Sequence, residues 1–460
     1  MRPSWTKSLA AGLLALAACK TPQTRSGPES ATPSDAVGRL PVESFGLDNG
    51  LTVLLHQDRR LPLVAVSVWY DVGGLHEVKG RSGFAHLFEH MMFQGSAHIG
   101  EDQHFKILQQ IGGTQMNGTT DFDRTNYFET VPSHELETAL WLESDRMGFL
   151  LPSVTKESLK NQIDVVQNER RQSVVNRPYG LMMETVTQTL YPQPHPYYGD
   201  VIGSMDDIAA ATLEDVHEFF KTYYTPANAT LVLAGDFDVA EAKALVTKYF
   251  GPLKGKSRPK PVQIPAPSLA KDLRIDFVEK VGRLAKVHMA WMGPSAYEAD
   301  AAALDLLSHV ISGTRSARLD KKVSHDDLIA QSVTAYSQAY RSGGHFHIDL
   351  TVRPGRTAEQ AEAAINEVLA DLLKNPPTQA ELQRAKNANE SHVIRGLERL
   401  GGFGGRAERL QQYNHYLGDA NKLDWDMQRY RDVTLDDLNR VLRTYLGAAR
   451  LVVHAQPEKS

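Results

Sequence analysis

Thr212-Leu213-Glu214-Asp215-Val216, followed by Lys221-Thr222-Tyr223, recurs 222 residues later as Thr434-Leu435-Asp436-Asp437-Leu438 and Arg443-Thr444-Tyr445. Each copy runs into a β-rich segment, residues 229–234 in the first and 449–454 in the second. A repeat this long signals duplicated domains and not a solenoid, whose units are far shorter. Working outward, strand-like stretches such as residues 51–55 and 63–70 come first in a half, helical stretches follow, and a strand closes the unit. The expected fold is therefore α+β: two homologous α/β sandwich domains in one chain, each an antiparallel sheet covered by helices. Between them the Lys- and Pro-rich residues 254–269 read as an extended linker, which places one domain at 41–253 and the other at 270–460.

Only the first half carries His86-Leu87-Phe88-Glu89-His90. Its flanks, Gly83-Phe84-Ala85 and Met91-Met92-Phe93, are apolar and free of proline, so the run reads as a helix. Residues three and four apart on a helix are neighbours, which sets Glu89 and His90 over the same turn as His86. Two imidazoles and a carboxylate in a segment this apolar need a partner or a metal. Neutral imidazoles at this spacing suit zinc, and a carboxylate beside its water can take a proton. The order His-x-x-Glu-His is the inverzincin signature. A third ligand must come from elsewhere, and the best candidate is Glu169, 79 positions after His90. There Ile163, Val165 and Val166 fall at helical spacing and would turn one side toward a core. The alternative for Glu169 is an exposed helical glutamate.

Together with Asn168-Glu169-Arg170, and with Gly112-Gly113-Thr114-Gln115-Met116-Asn117-Gly118-Thr119-Thr120 followed by Asp123-Arg124-Thr125-Asn126-Tyr127, this motif resembles the insulinase, or pitrilysin, family of zinc peptidases. The resemblance implies His86, His90 and Glu169 as ligands of one zinc ion (Zn2+) per chain and Glu89 as general base. It implies a zinc-dependent endopeptidase that hydrolyses unfolded peptides or protein segments through a zinc-bound water. Residues 114–120 read as a strand, and the resemblance places them at an edge that pairs with the substrate backbone, with Asn117 and Gly118 binding substrate. Asn-Gly is also a strong hairpin-turn signal, which leaves a turn as the alternative.

Two departures from the family pattern bear on function. Family members commonly carry an acid seven residues before the ligand glutamate, and Gln162 stands there; Asp164 is the nearest substitute. Many also complete the site with an Arg and a Tyr from a second-half domain. In the register set by Arg318-Leu319 and Ala330 those positions hold Ser324 and Gln331, with Arg315 and Tyr336 as internal alternatives. Serine cannot clamp a carbonyl as a guanidinium does, and Gln replaces a phenol poorly. The chain therefore resembles the metal-bearing subunit of pairs like mitochondrial processing peptidase, and a homologous partner subunit is expected to supply the Arg and Tyr. A non-catalytic peptide-binding or scaffold subunit of the same fold is the alternative function, and the intact Glu89 argues against it. In the second half a lone His309 reads as a core or rim residue. The run Gly401-Gly402-Phe403-Gly404-Gly405 lacks the Lys-Ser/Thr ending of a phosphate loop and reads as a mobile loop or close helix packing.

The remaining signals concern location. The 460 residues are 42% hydrophobic, enough for two packed domains, and the formal charge of −5 argues against nucleic acid as the principal partner. Arg2 and Lys7, then an apolar run to Ala18, read as a signal peptide over residues 1–18. Leu16-Ala17-Ala18-Cys19 holds the single cysteine and resembles the lipobox of bacterial lipoproteins, which implies cleavage before Cys19 and lipidation of its thiol. Residues 19–40 then form a flexible tether. The protein is expected in the bacterial cell envelope, lipid-anchored to a membrane and facing the periplasm or exterior. With its one thiol acylated it would have no disulfide, so packing and the metal must stabilise it.

Overall fold

The structure of the protein is a computed structural model that describes residues 40–458 apart from Lys256, Gln263, Pro265 and Ala266. The expected signal peptide, Cys19 and residues 20–39 of the expected tether lie outside the described residues. Among those described, the first sheet is built from β1 (Glu43–Gly46), β2 (Thr52–Gln57), β3 (Leu63–Tyr70), β4 (Thr114–Thr120), β5 (Thr125–Pro132) and β6 (Ala229–Gly235), in the order β1-β2-β6-β3-β5-β4. The second holds β7 (Leu273–Glu279), β8 (Lys286–Gly293), β9 (Ala330–Tyr340), β10 (Gly343–Val352) and β11 (Arg450–Pro457), in the order β7-β11-β8-β10-β9.

The two orders are the same path through the sheet, with β2, β6, β3, β5 and β4 answering to β7, β11, β8, β10 and β9. The sequence repeat marks the helix that feeds an internal strand in each, β6 in the first and β11 in the second. Thr212 starts Leu213–Tyr223, accepting from Asp215 N while the Asp215 carboxylate accepts from Thr212 N. Thr434 and Asp437 do the same for Leu435–Val441, a reciprocal cap that satisfies two otherwise orphaned N–H groups. The sheets depart from the all-antiparallel expectation at one pair each, β2 with β6 and β7 with β11, which run parallel. No helix among the described residues is long and apolar enough to cross a membrane.

Alternation along the strands buries both faces of each sheet. Val64, Val66, Val68 and Tyr70 of β3 face one core, whereas Ala65 joins Leu54, Val232 and Ala234 in another. That second face is covered by Ala407 and Leu410 of the Arg406–Leu417 helix, which comes from the other half of the chain. Reciprocally, Met182, Val186 and Leu190 of the Gly180–Leu190 helix pack on Ala290, Leu451, Val453 and Ala455 of the second sheet. Burying one Met, Val or Leu side chain stabilises by about 1.5–3 kcal/mol, so each exchanged helix ties the halves together firmly. A polar seam adds to this. Asp71, just past β3, accepts from Arg341 Nη1 at 2.9 Å and from Arg258 Nη2 at 2.8 Å, and Asp123 accepts from Tyr197 OH, Tyr416 OH and Arg341 N.

Candidate metal centre

The helix Phe84–Met91 has only eight residues and would be marginal alone, so its surroundings hold it. Leu87, Phe88 and Met91 are buried in the first core, and Phe88 lies 4.8 Å, ring to ring, from Tyr224. The residue before the helix, Gly83, sits at φ +84 and offers no side-chain cap. Glu77 takes that role from the preceding loop: Gly83 N donates to its Oε2 at 3.0 Å and Ala85 N to its Oε1 at 2.9 Å. A carboxylate at a helix N-terminus also meets the positive end of the dipole. No sequence spacing announced Glu77.

His86, Glu89 and His90 share one face, and the helix Lys156–Arg170 brings Glu169 to it. Glu169 Oε2 lies 3.1 Å from His90 Nε2 and 3.7 Å from His86 Nε2. That helix buries Leu159, Gln162, Val166 and Arg170, which follow one another at three- and four-residue steps. Val165, expected on the core side, is instead exposed, because it lies one step of rotation away from Val166. Burial, then the neighbouring His90, pulls the His86 imidazole down to about 4, leaving it neutral with a lone pair to give. A hydrogen bond from His90 holds the Glu169 carboxyl below its ordinary range.

Glu89 stands beside this triangle and outside it. Its Oε2 accepts from Thr120 Oγ1 at 2.7 Å, and burial raises its pKa above the ordinary carboxylate value. The strand β4 passes over it as the outer strand of its sheet, so Asn117 and Gly118 lie within a strand and form no turn, opposite Phe128 and Tyr127 of β5. A cavity of about 570 Å3 connects the ligand triangle, Glu89, Phe93, Phe105, Gln162 and Asn117 to Thr120. All its lining residues, among those described, belong to the first half of the chain.

The donor set fits zinc: two imidazole Nε2 atoms and one carboxylate oxygen converge within 4.8 Å of one another, with space on the cavity side for a fourth ligand. A second convergence, His104, Glu129 and Glu143, is fully buried. There Arg146 Nη2 already bonds Glu143 Oε1, and its guanidinium lies 4.2 Å from the Tyr127 ring, so a cation of the protein's own occupies that cluster.

Other sequence candidates lie elsewhere. Gln162 lines the cavity, whereas Asp164 is exposed beside Lys160. Ser324 sits in a π-helical turn, Lys321–Asp326, and Gln331 is exposed on β9. Tyr336 stacks on His347 at 4.8 Å, and Arg315 is exposed; neither lines the cavity. His309 is exposed at the end of the Ala301–Ile311 helix. The glycine run proves to be close packing: a Cβ on Gly401 would meet Ala65 Cβ at 2.8 Å.

Comparison with known proteins places this geometry in a lineage. The profile described as Insulinase (Peptidase family M16) matches residues 52–195, and that described as Peptidase M16 inactive domain matches residues 210–389. Zinc protease PqqE of Helicobacter pylori is 30% identical over 414 residues, 88% of this chain and 90% of its own length. The uncharacterized zinc protease YmxG of Bacillus subtilis is 24% identical, over 87% of this chain and 95% of its own. Among solved structures, a protease from Helicobacter pylori superimposes with a TM-score of 0.84 at 27% identity, covering 91% of this chain and 100% of that one. A peptidase M16 inactive domain from Pseudomonas fluorescens shares the fold at a TM-score of 0.79 and 21% identity, covering 92% of this chain and 99% of that one. With tandem profiles across both halves and a relative matched over nearly its whole length, the chain belongs to the insulinase family, peptidase family M16.

Proposed function

We propose that the protein is a zinc-dependent endopeptidase acting on unfolded peptides or protein segments, with His86, His90 and Glu169 as ligands of one zinc ion and Glu89 as general base. One observation carries this reading: a buried carboxylate, Glu89, stands beside the donor triangle without belonging to it, packed against β4, the outer strand of its sheet. A purely structural metal site has no use for such a group, and a non-catalytic scaffold would have none either. Bound zinc would supply a Lewis acid for the carbonyl and a water of lowered pKa. Glu89 holds Thr120 with Oε2 and turns Oε1 toward Gly118, so Oε1 is the atom placed to take the proton of an attacking water. The same atom returns the proton to the leaving amine. The free edge of β4 offers main-chain donors and acceptors to an extended peptide, which grips substrates with little regard to sequence.

Glu89→Gln tests the assignment. The variant should retain stoichiometric zinc and lose hydrolysis of a mixed peptide library by about 10^2- to 10^4-fold. Zinc lost together with activity, or turnover retained, overturns it.

The lipobox-like Leu16-Ala17-Ala18-Cys19 supports a lipid-anchored envelope location. Incorporation of labelled palmitate into the wild type and its absence in Cys19→Ser is the check; equal labelling sinks the anchor.

A further inference from the structure

We infer that Arg170 and Glu184 are positioning residues for Glu169, and that through them the half of the chain without ligands sets how tightly the metal is held. The inference rests on the metal reading of His86, His90 and Glu169. Of those side chains Glu169 is the most exposed, 42% against 13% for His86 and 22% for His90, so packing does least to fix it. Its neighbour in the chain is fixed firmly. Arg170, with a side chain only 8% exposed, gives Nη2 to both carboxylate oxygens of Glu184 at 2.9 Å.

Glu184 belongs to the Gly180–Leu190 helix, which lies on the second sheet. The residue that starts this helix is tied to the second half as well: Tyr179 N donates to Glu279 Oε2 at 3.0 Å and Tyr179 OH to Leu284 O at 2.8 Å. Between Arg170 and Tyr179 the chain makes a π-helical turn, Arg171–Val175, a widened ladder that recurs at functional sites. Within it Ser173 Oγ donates to the backbone oxygen of Glu169 at 2.9 Å. Gly180 crosses this turn so closely that a Cβ there would stand 2.1 Å from Val174 O. A continuous set of contacts thus runs from the second sheet through Tyr179 and Glu184 to Arg170 and the ligand. Charged hydrogen bonds of this kind are strong and directional, and removing one partner leaves the other charge buried and alone.

The test is zinc affinity of the whole chain, by competition with a chelator, together with the absorption bands of the cobalt-substituted protein. Glu184→Gln keeps the volume and removes the charge. It should weaken zinc about tenfold or more, the usual effect of losing a group that orients a ligand, and shift the cobalt bands. Unfolding of the metal-free variant should be affected no more than by Glu381→Gln, which breaks the 2.8 Å ion pair with Arg318 elsewhere in the second half and should leave zinc affinity unchanged. Tyr179→Phe removes only the bond to Leu284 O and should weaken zinc in the same direction by a smaller factor. Affinity in Glu184→Gln equal to wild type, or lowered no more than in Glu381→Gln, overturns the inference. If Glu184→Gln does not fold, Tyr179→Phe decides, and unchanged affinity there overturns it. A wild-type chain that binds zinc tightly but hydrolyses no peptide would count against the peptidase reading and leave this inference standing, whereas a wild-type chain that binds no zinc would overturn both.

Discussion

A Cβ placed on Gly118 would stand 3.0 Å from Cγ of Glu89 and 3.2 Å from its Oε1. The absence of a side chain at Gly118 is what lets the edge strand cross the carboxylate so closely. The backbone there is not left-handed, so the demand for glycine is steric and local. Gly118→Ala should therefore displace Glu89 while leaving His86, His90 and Glu169 in place. Zinc content should be unchanged and kcat/KM lower by about 100-fold, the scale of a misplaced catalytic group. Kinetics on one peptide with metal analysis decides, and wild-type rates would show that Glu89 tolerates the shift.

Acid should loosen the seam between the halves at Asp71. Burial pushes its carboxyl up, but His415, Arg341 and Arg258 outweigh burial and bring it down to about 2, from 3.8 for a free carboxyl. A depressed pKa means that the charged form is favoured in the folded state. Its contribution is complete above about pH 3.8 and is lost as the pH falls through about 2. At pH 6, where His415 is neutral and Arg341 and Arg258 are the cations on the carboxylate, Asp71→Asn should destabilise the metal-free protein by about 1–2 kcal/mol, and the gap from wild type should close toward pH 2. Denaturant titrations of both proteins at several pH values measure it; a gap independent of pH would remove Asp71 from the account.

The outlines of the strands and the metal helix were legible because they repeat locally. β3 and β4 run over residues 63–70 and 114–120, the stretches that read as strands, and His86, Glu89 and His90 share a face by helical spacing alone. Glu169 was a candidate on a helical stretch whose role as ligand the resemblance implied, since no local rule names a partner 79 residues away. What escaped was pairing at long range. Met182, Val186 and Leu190 announce an apolar helix face but not that it covers the sheet of the other half, and the same holds for Ala407 and Leu410. The parallel contact of β2 with β6 joins strands more than 170 residues apart and left no trace in either strand. Val165 misled because three apolar residues sat close together and only the buried series of Leu159, Gln162 and Val166 fixes the rotation of the helix. Glu77 was missed because a carboxylate capping from a loop follows no helical spacing.

A second chain is proposed to complete the site, because of what the cavity lacks. Its lining offers imidazoles, carboxylates, amides, hydroxyls and two phenylalanines, but among the described residues no guanidinium and no phenol to hold a carbonyl oxygen as charge develops on it. In the register set by Arg318-Leu319 and Ala330, Ser324 and Gln331 are expected where the family pattern has Arg and Tyr, while Tyr336 is engaged with His347 and Arg315 lies outside the cavity. The purified chain should bind zinc and cleave peptides weakly. Adding a homologous chain without His-x-x-Glu-His but with the Arg and Tyr should raise the rate by about 10^2- to 10^3-fold, the scale of one missing oxyanion donor. The gain should fall on kcat, because contacts made chiefly in the transition state act on the chemical step and not on ground-state binding. Substituting the Arg of that added chain should abolish the gain without changing zinc content. Full activity from a verified monomer would show that a group within this chain closes over the site, and the two-chain reading would fall.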